Sequence, residues 1–220
     1  MRFEMVHALT SRQPELALSF LRSSPPLTDP YGNQRDLAAN EAAMEMQIAH
    51  HIAAKDPKRT LEIARENLKK GYSSALTNTI ATLRRQNPEM AAELATETAN
   101  KLLGEKLTKD SQAAALVVGL IQLTRSQPGN EAGETNGSPR RMPLLSDQLR
   151  RELLQKAVND AMAFKTSNPL IYSPERDYTW NLLHGLQQLG PEVDTVMDGT
   201  AAAVTKKLNE LTTLNNSMGP

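Results

Sequence analysis

The chain has 220 residues, of which 39% are hydrophobic and only 4% aromatic, and its 25 basic side chains are balanced by 25 acidic ones. Helix-forming residues dominate this composition, which favours an all-α fold, and the balanced charge excludes a global field that would attract nucleic acid or an anionic membrane surface. The absence of cysteine excludes disulfides, thiolate catalysis and zinc sites with cysteine ligands.

Targeting and membrane signals are also absent from the sequence. No apolar run reaches the roughly 18 residues of a membrane span, and the chain does not open on a signal-peptide pattern. We therefore expect no membrane insertion, while the cellular compartment stays open. The first residues, MRFEMVHALTSRQ, already follow a helical pattern without a preceding cap, which is compatible with a segment of a longer protein.

Hydrophobic periodicity and capping residues predict ten helices. Their expected ranges in chain order are 2–12, 15–23, 35–55, 58–70, 73–86, 89–103, 109–126, 146–164, 175–189 and 192–215. Gly71 and Gly104 are expected to end the fourth and sixth of these helices. A cluster of Gly, Asn, Ser and Pro without periodicity predicts a mobile loop near 127–144.

The sequence can be aligned on five prolines, each preceded by a polar residue or, at the last, by glycine: Pro14, Pro57, Pro88, Pro128 and Pro191. The residues eight and five positions before each proline are all apolar, which is the spacing of a buried helical stripe. They are Val6, Ala49, Ile80, Leu120 and Leu183, followed by Leu9, Ile52, Leu83, Leu123 and Leu186; Met5, Ile48 and Leu182, nine positions before, extend the stripe. Each proline is therefore predicted to mark a joint after a helix, and Pro57 and Pro88 are predicted to open the next helix with Asp56 and Asn87 as N-caps.

Short paired helices with proline at their joints and small residues facing across them resemble the tetratricopeptide-type helical-hairpin proteins. The small residues are Ala17, Ala64, Ala91 and Ala95. The resemblance covers most of the chain and implies a layout of consecutive antiparallel helices stacked one hairpin on the next. The predicted fold is thus a single all-α array over 1–220, an irregular α-solenoid.

Three of the four histidines share one position of this alignment, seven residues before the proline: His7, His50 and His184. One interpretation is a ladder of imidazoles, with His51 beside it, that binds a metal or an anionic partner. The other is a hydrogen-bonding residue kept near the turn of a duplicated hairpin. Because stacked helices lie about 10 Å apart and a metal–nitrogen bond is about 2 Å long, we expect no metal shared between these rings.

Acidic residues near His50 and known catalytic motifs are the other possible signs of an active or metal site. Glu41 and Glu45 precede His50 on the third helix, but a step of five residues turns the imidazole of His50 away from the Glu45 carboxylate, so a solvated face is predicted there. The sequence contains no nucleophile elbow, phosphate-binding glycine loop or zinc and di-iron motif. It therefore predicts no catalytic residue, no metal site and no cofactor.

Aromatic residues gather in the segment NPLIYSPERDYTW at 168–180, interpreted as a connection between helices. Tyr172, Tyr178 and Trp180 could close the end of a core or anchor a partner. Together with His50 and His184, these three are the candidate binding residues.

Two functions remain open at this point. The first is a non-enzymatic protein-interaction or scaffold module whose partner is another protein or another part of its own longer chain, with no nucleic-acid partner. The alternative is a helical metal-dependent hydrolase, or another enzyme, that uses His50, His51 and His184 with Glu45 or Asp177.

Overall fold

A computed structural model describes residues 2–24, 34–125, 142–165 and 173–216. These ranges contain eleven α-helices, one 3-10 helix and no strand, which confirms the all-α fold. Contacts between α carbons divide the chain into two compact units, residues 1–95 and 96–220. A single array through both units stays a prediction. Most of the loop expected near 127–144 lies outside the described residues.

The helices occur in the predicted order, and most of their bounds lie close to the predicted ones. The first unit holds α1 (Arg2–Thr10), α2 (Pro14–Ser23), α3 (Gln34–Ile52), α4 (Pro57–Lys70), α5 (Leu76–Gln86) and the start of α6 (Pro88–Leu103). The second unit holds the end of α6, the 3-10 helix (Leu107–Lys109), α7 (Ser111–Leu123), α8 (Asp147–Ala163), α9 (Pro174–Gln188), α10 (Gly190–Val196) and α11 (Thr200–Asn216).

The proline joints of the first unit are confirmed, since α2, α4 and α6 each begin at the expected proline. The carboxylate of Asp56 accepts a hydrogen bond from the backbone N–H of Arg59 at 2.9 Å. The side-chain oxygen of Asn87 accepts one from the backbone N–H of Met90 at 3.1 Å. Both caps satisfy amides that the first helical turn leaves without a partner. The joint expected at Pro128 lies outside the described residues.

The last predicted helix, 192–215, is two helices, which corrects the sequence interpretation. Pro191 lies in the first turn of the short helix α10, and α11 begins only at Thr200. Gly199 between them has φ +70°, a left-handed conformation that glycine adopts at low cost. The carboxylate of Asp194 then accepts the backbone N–H of Ala201 at 2.8 Å and closes the turn. The apolar pattern continues through this break, so periodicity alone does not reveal it.

The predicted apolar stripes form the core of each unit. The residues eight positions before the prolines are all fully buried, and those five positions before are buried except for Leu9 and Leu123, which are half-buried. Met5 was expected in the stripe but is 48% exposed. In α1 the buried residues are Val6 and Thr10, four positions apart on one face, and Met5 lies outside that face.

In the first unit, helices that follow one another from α1 to α5 are in contact, and α3 also contacts α1 and α5. Two buried threonines tie the neighbouring helices to α3. The hydroxyl of Thr60 in α4 donates to the carbonyl oxygen of Ala49 at 3.2 Å, and that of Thr79 in α5 donates to the carbonyl oxygen of Met46 at 3.2 Å. These bonds fix the register in which α4 and α5 lie against α3.

In the second unit, α9 is the central helix and contacts α7, α8, α10 and α11. Gly185 of α9 lets α7 approach closely, because a β carbon placed there would lie 2.6 Å from a methyl carbon of Val118. At one end of the unit, the carboxylate of Glu192 pairs with both Arg125 and Arg150.

None of the helices among the described residues is long and apolar enough to span a membrane.

Candidate binding cavity

A cavity of about 590 Å³ opens in the first unit between α1, α3 and α5. Its volume falls within the range of roughly 300–1,000 Å³ typical of ligand pockets. The lining residues are His7, Thr10, Ser11, Met46, Gln47, His50, His51, Ala75, Asn78, Ala81, Thr82 and Arg85. Most of these side chains are polar, and the odd-numbered helices, with the residues immediately flanking α1 and α5, supply all of them.

The lining follows the repeat that the proline joints define. His7, His50 and Ala81 each stand seven residues before a proline, and all three line the cavity. Ser11 and Arg85, three residues before their prolines, lie one helical turn further on and line it as well. The repeat therefore places the same face of three helices on one cavity, and it brings His7 and His50 together there.

A hydrogen-bonded chain of side chains joins α5 to α3 at the wall of the cavity. A guanidinium nitrogen of Arg85 donates to the hydroxyl oxygen of Thr82 at 3.2 Å. The same hydroxyl lies 3.0 Å from Nδ1 of His50. His51 packs edge-on against His50, with ring centroids 5.8 Å apart and ring planes at 84°. This chain holds the imidazole of His50 in a defined orientation.

The lining carries basic and neutral polar groups. Arg85 is the fixed charge among the lining residues that the structure describes, and none of them is an aspartate or a glutamate. No three side chains of His, Cys, Asp or Glu in the described ranges are grouped so that they could share a metal ion. The cavity thus offers hydrogen-bond donors and positive charge to a ligand.

Glu45 corrects the expectation of a solvated face on α3, because its side chain is buried and only 4% of the residue is exposed. Its carboxylate accepts hydrogen bonds from Lys70 at 2.8 Å, from Asn67 at 3.1 Å and from Arg22 at 3.1 Å. Burial alone would raise the pKa of Glu45, but the hydrogen bonds from Lys70 and Asn67 and the charges of Lys70 and Arg22 outweigh it, so the pKa lies below its ordinary value. Glu45 is a structural anion that joins α3 to α2 and α4.

The remaining candidate residues lie in the second unit. The segment 174–180 forms the first two turns of α9, which confirms the helix predicted over 175–189, so Tyr178 and Trp180 lie in that helix and not in a connection. Trp180 stacks on His184 one turn later, with ring centroids 5.3 Å apart and ring planes at 11°. Its indole N–H donates to the hydroxyl oxygen of Thr212 in α11 at 2.9 Å. Tyr172 lies outside the described residues.

Three residues that line the cavity, Asn78, Thr82 and Arg85, were not predicted from the sequence as site residues. Thr82 contacts His50 across 32 residues of chain, and no local motif marks such a pair. Arg85 is one of two arginines in the last turn of α5, where the helix dipole favours a cation, so its type and place do not distinguish it from an ordinary basic residue at a helix end. The available signal was its register, since it shares a repeat position with Ser11.

Comparisons of the chain with protein-family models, with curated proteins and with solved structures found no match.

Proposed function

We propose that the first unit is a non-enzymatic protein-binding module, built as a tetratricopeptide-like array of helical hairpins whose odd-numbered helices line the binding surface. The observation that carries this proposal is the cavity lined by equivalent positions of α1, α3 and α5. A stack of hairpins that repeats one face along a groove suits an extended segment of another polypeptide, because each helix can contact successive side chains of that segment.

Binding accounts for the lining better than catalysis does. Histidine is the commonest general base in hydrolysis, but the described lining contains no carboxylate that could orient an imidazole as in a nucleophile–histidine–carboxylate triad. Of the two carboxylates invoked for an enzyme, Glu45 is held by Lys70, Asn67 and Arg22. The other, Asp177, lies in α9 of the second unit. No observation favours the hydrolase alternative, and His184 belongs to the second unit, where it stacks on Trp180.

The partner can be sought with an array of random short peptides probed by the purified full chain. A cavity-filling variant, Ala81→Leu, places a larger side chain in the lining of α5 without removing any polar contact. The matched control is Ala54→Leu, an exposed position just after α3 that is not among the lining residues. We expect a set of peptides that bind the wild type and the control but not Ala81→Leu.

Circular dichroism of the three proteins checks that they are equally folded. If every peptide that binds the wild type also binds Ala81→Leu with equal strength, the cavity is not the binding surface and the proposal is wrong.

A further inference from the structure

We infer that the cavity holds an acidic segment of its polypeptide partner, with a carboxylate or phosphate group seated among Arg85, Thr82 and the histidines. This inference rests on the proposed function, which it deepens by naming the chemistry of the ligand.

The charge of the cavity wall complements an anionic ligand. Arg85 brings a permanent positive charge to a wall whose described lining has no acidic side chain to neutralise it. His7, His50 and His51 add three imidazoles, whose ring N–H groups donate hydrogen bonds to an anion. A planar guanidinium presents paired N–H donors that match the two oxygens of a carboxylate or phosphate. An anionic group is thus the ligand that this wall complements.

The hydrogen-bonded chain supplies the second argument, because it leaves donors available. Arg85 donates one N–H to Thr82, and a guanidinium has five such donors. When the Thr82 hydroxyl donates in turn to Nδ1 of His50, the ring proton is on Nε2, which becomes the donor for a ligand. Arg85 and His50 are then held by one threonine hydroxyl, so an anion that contacts both requires little reorganisation of the wall.

Helix direction decides which groups must make the contact. His7, the pair His50–His51 and Arg85 all lie in the last turns of α1, α3 and α5. The carbonyl ends of helices carry partial negative charge and disfavour an anion. Backbone amides at these ends are already used within the helices, so the side chains must provide the binding. We therefore expect affinity to depend strongly on Arg85.

The test uses fluorescence anisotropy with two labelled probes, a hexaglutamate peptide and a phosphoserine peptide, against the full chain. Arg85→Gln keeps a hydrogen-bonding side chain but removes the charge, and we expect it to weaken binding about tenfold or more, as loss of a charged hydrogen bond does. Arg84→Gln is the matched control, since Arg84 is the adjacent arginine of the same helical turn and is not in the lining. We expect the control to change binding less than about twofold, as losing a charge outside the site does.

A second variant guards against a loss caused by misfolding. Thr82→Val keeps the shape of this buried residue and removes the hydroxyl that joins Arg85 to His50. We expect intermediate weakening with an unchanged circular dichroism spectrum. Equal binding of the acidic probes by wild type, Arg85→Gln and Thr82→Val would overturn the inference.

Failure of the inference differs from failure of the proposed function. Peptides that require the open cavity, by the Ala81→Leu comparison, but show no acidic enrichment and no dependence on Arg85 would remove only the inference. If no peptide depends on the open cavity, both are wrong. If inorganic phosphate alone binds as tightly as the acidic peptides through Arg85, the anion chemistry holds but its polypeptide source does not.

Discussion

Two polar residues of α3, Glu45 and His50, have different environments in the folded protein. Glu45 and His50 lie on the same helix, five residues apart. Glu45 is buried and paired with Lys70, while His50 is half-buried and lines the cavity. A step of five turns the two side chains to different faces of α3, so one contributes to stability and the other to the wall of the cavity.

Replacing Glu45 by Gln should lower the free energy of unfolding at pH 7 by about 1–3 kcal/mol, because Lys70 and Arg22 then face a neutral group in a buried position. Glu62→Gln is the surface control, since Glu62 pairs with Arg59 in an exposed place, and its loss should cost less than about 1 kcal/mol. Urea unfolding of both variants measures the difference. A cost no larger than that of the control would mean that Glu45 does not stabilise the helix stack.

The difference in the free energy of unfolding between wild type and Glu45→Gln should depend on pH. The pKa of Glu45 is lower in the folded chain than in the unfolded one, so its contribution is fully present above the ordinary pKa of an unfolded glutamate. That contribution decreases as the pH falls below this value and is lost as the pH passes through the folded pKa. Unfolding curves measured from pH 7 to pH 3 should therefore converge for wild type and Glu45→Gln. A constant difference over this range would contradict the assignment.

Gly185→Ala tests the close approach of α7 and α9. The added methyl would meet Val118 at 2.6 Å, and overpacking of this kind costs about 1–3 kcal/mol. Val118→Ala removes both methyl carbons but leaves the β carbon of residue 118 at 3.1 Å from the added one. Gly185→Ala should therefore cost less in that background than in the wild type, and the better helix propensity of alanine, about 1 kcal/mol, offsets part of the remaining cost. Gly190→Ala is the control, because its nearest atom lies at 3.8 Å. Thermal unfolding of the four variants gives the coupling, and an unchanged effect in the Val118→Ala background would contradict it.

At the scale of elements, glycine decides where the C-terminal helical stretch divides. Gly199→Ala places a β carbon on a left-handed residue with φ +70° and should cost about 1–2 kcal/mol. Gly71→Ala provides the comparison, since Gly71 has φ 169° with no atom within 4 Å of an added β carbon and should be neutral or slightly stabilising. Chemical denaturation measures both. Equal effects would mean that the turn between α10 and α11 is not strained by alanine.

The sequence predicted most elements because their signals are local. Proline with Asp56 or Asn87 marks a helix start within four residues, and the apolar stripe repeats within one turn. The break at Gly199 was missed because the apolar pattern continues through it. The hydrogen bonds that join Arg85, Thr82 and His50 were missed because they connect α5 to α3, which are distant in sequence. Periodicity indicates which face of a helix is apolar, but it does not indicate which polar faces of two helices meet.

At the scale of the whole molecule, each unit has its own core residues at the predicted repeat positions. Leu83 in the first unit and Leu186 in the second are both fully buried. Replacing either by Ala should cost about 2–4 kcal/mol, whereas Leu16→Ala, at a position 51% exposed, should cost less than about 0.5 kcal/mol.

Hydrogen exchange measured by segment can locate these losses. We expect Leu83→Ala to reduce amide protection within residues 1–95 and Leu186→Ala to reduce it within 96–220, because each leucine packs inside its own unit. Unchanged protection around the substituted leucine would contradict its place in the core.

The helices around the cavity use different positions for packing and for contact with solvent. The residues eight positions before the prolines are fully buried, while His7, His50 and Ala81, seven positions before, line the cavity together with Ser11 and Arg85. Exchanging His7, His50 or Arg85 alters the chemistry of the wall and removes no volume from the core. Two chains could therefore share every joint and every buried residue of this unit and still differ in the chemistry of the cavity wall, so that wall can change in evolution without a corresponding loss of foldability.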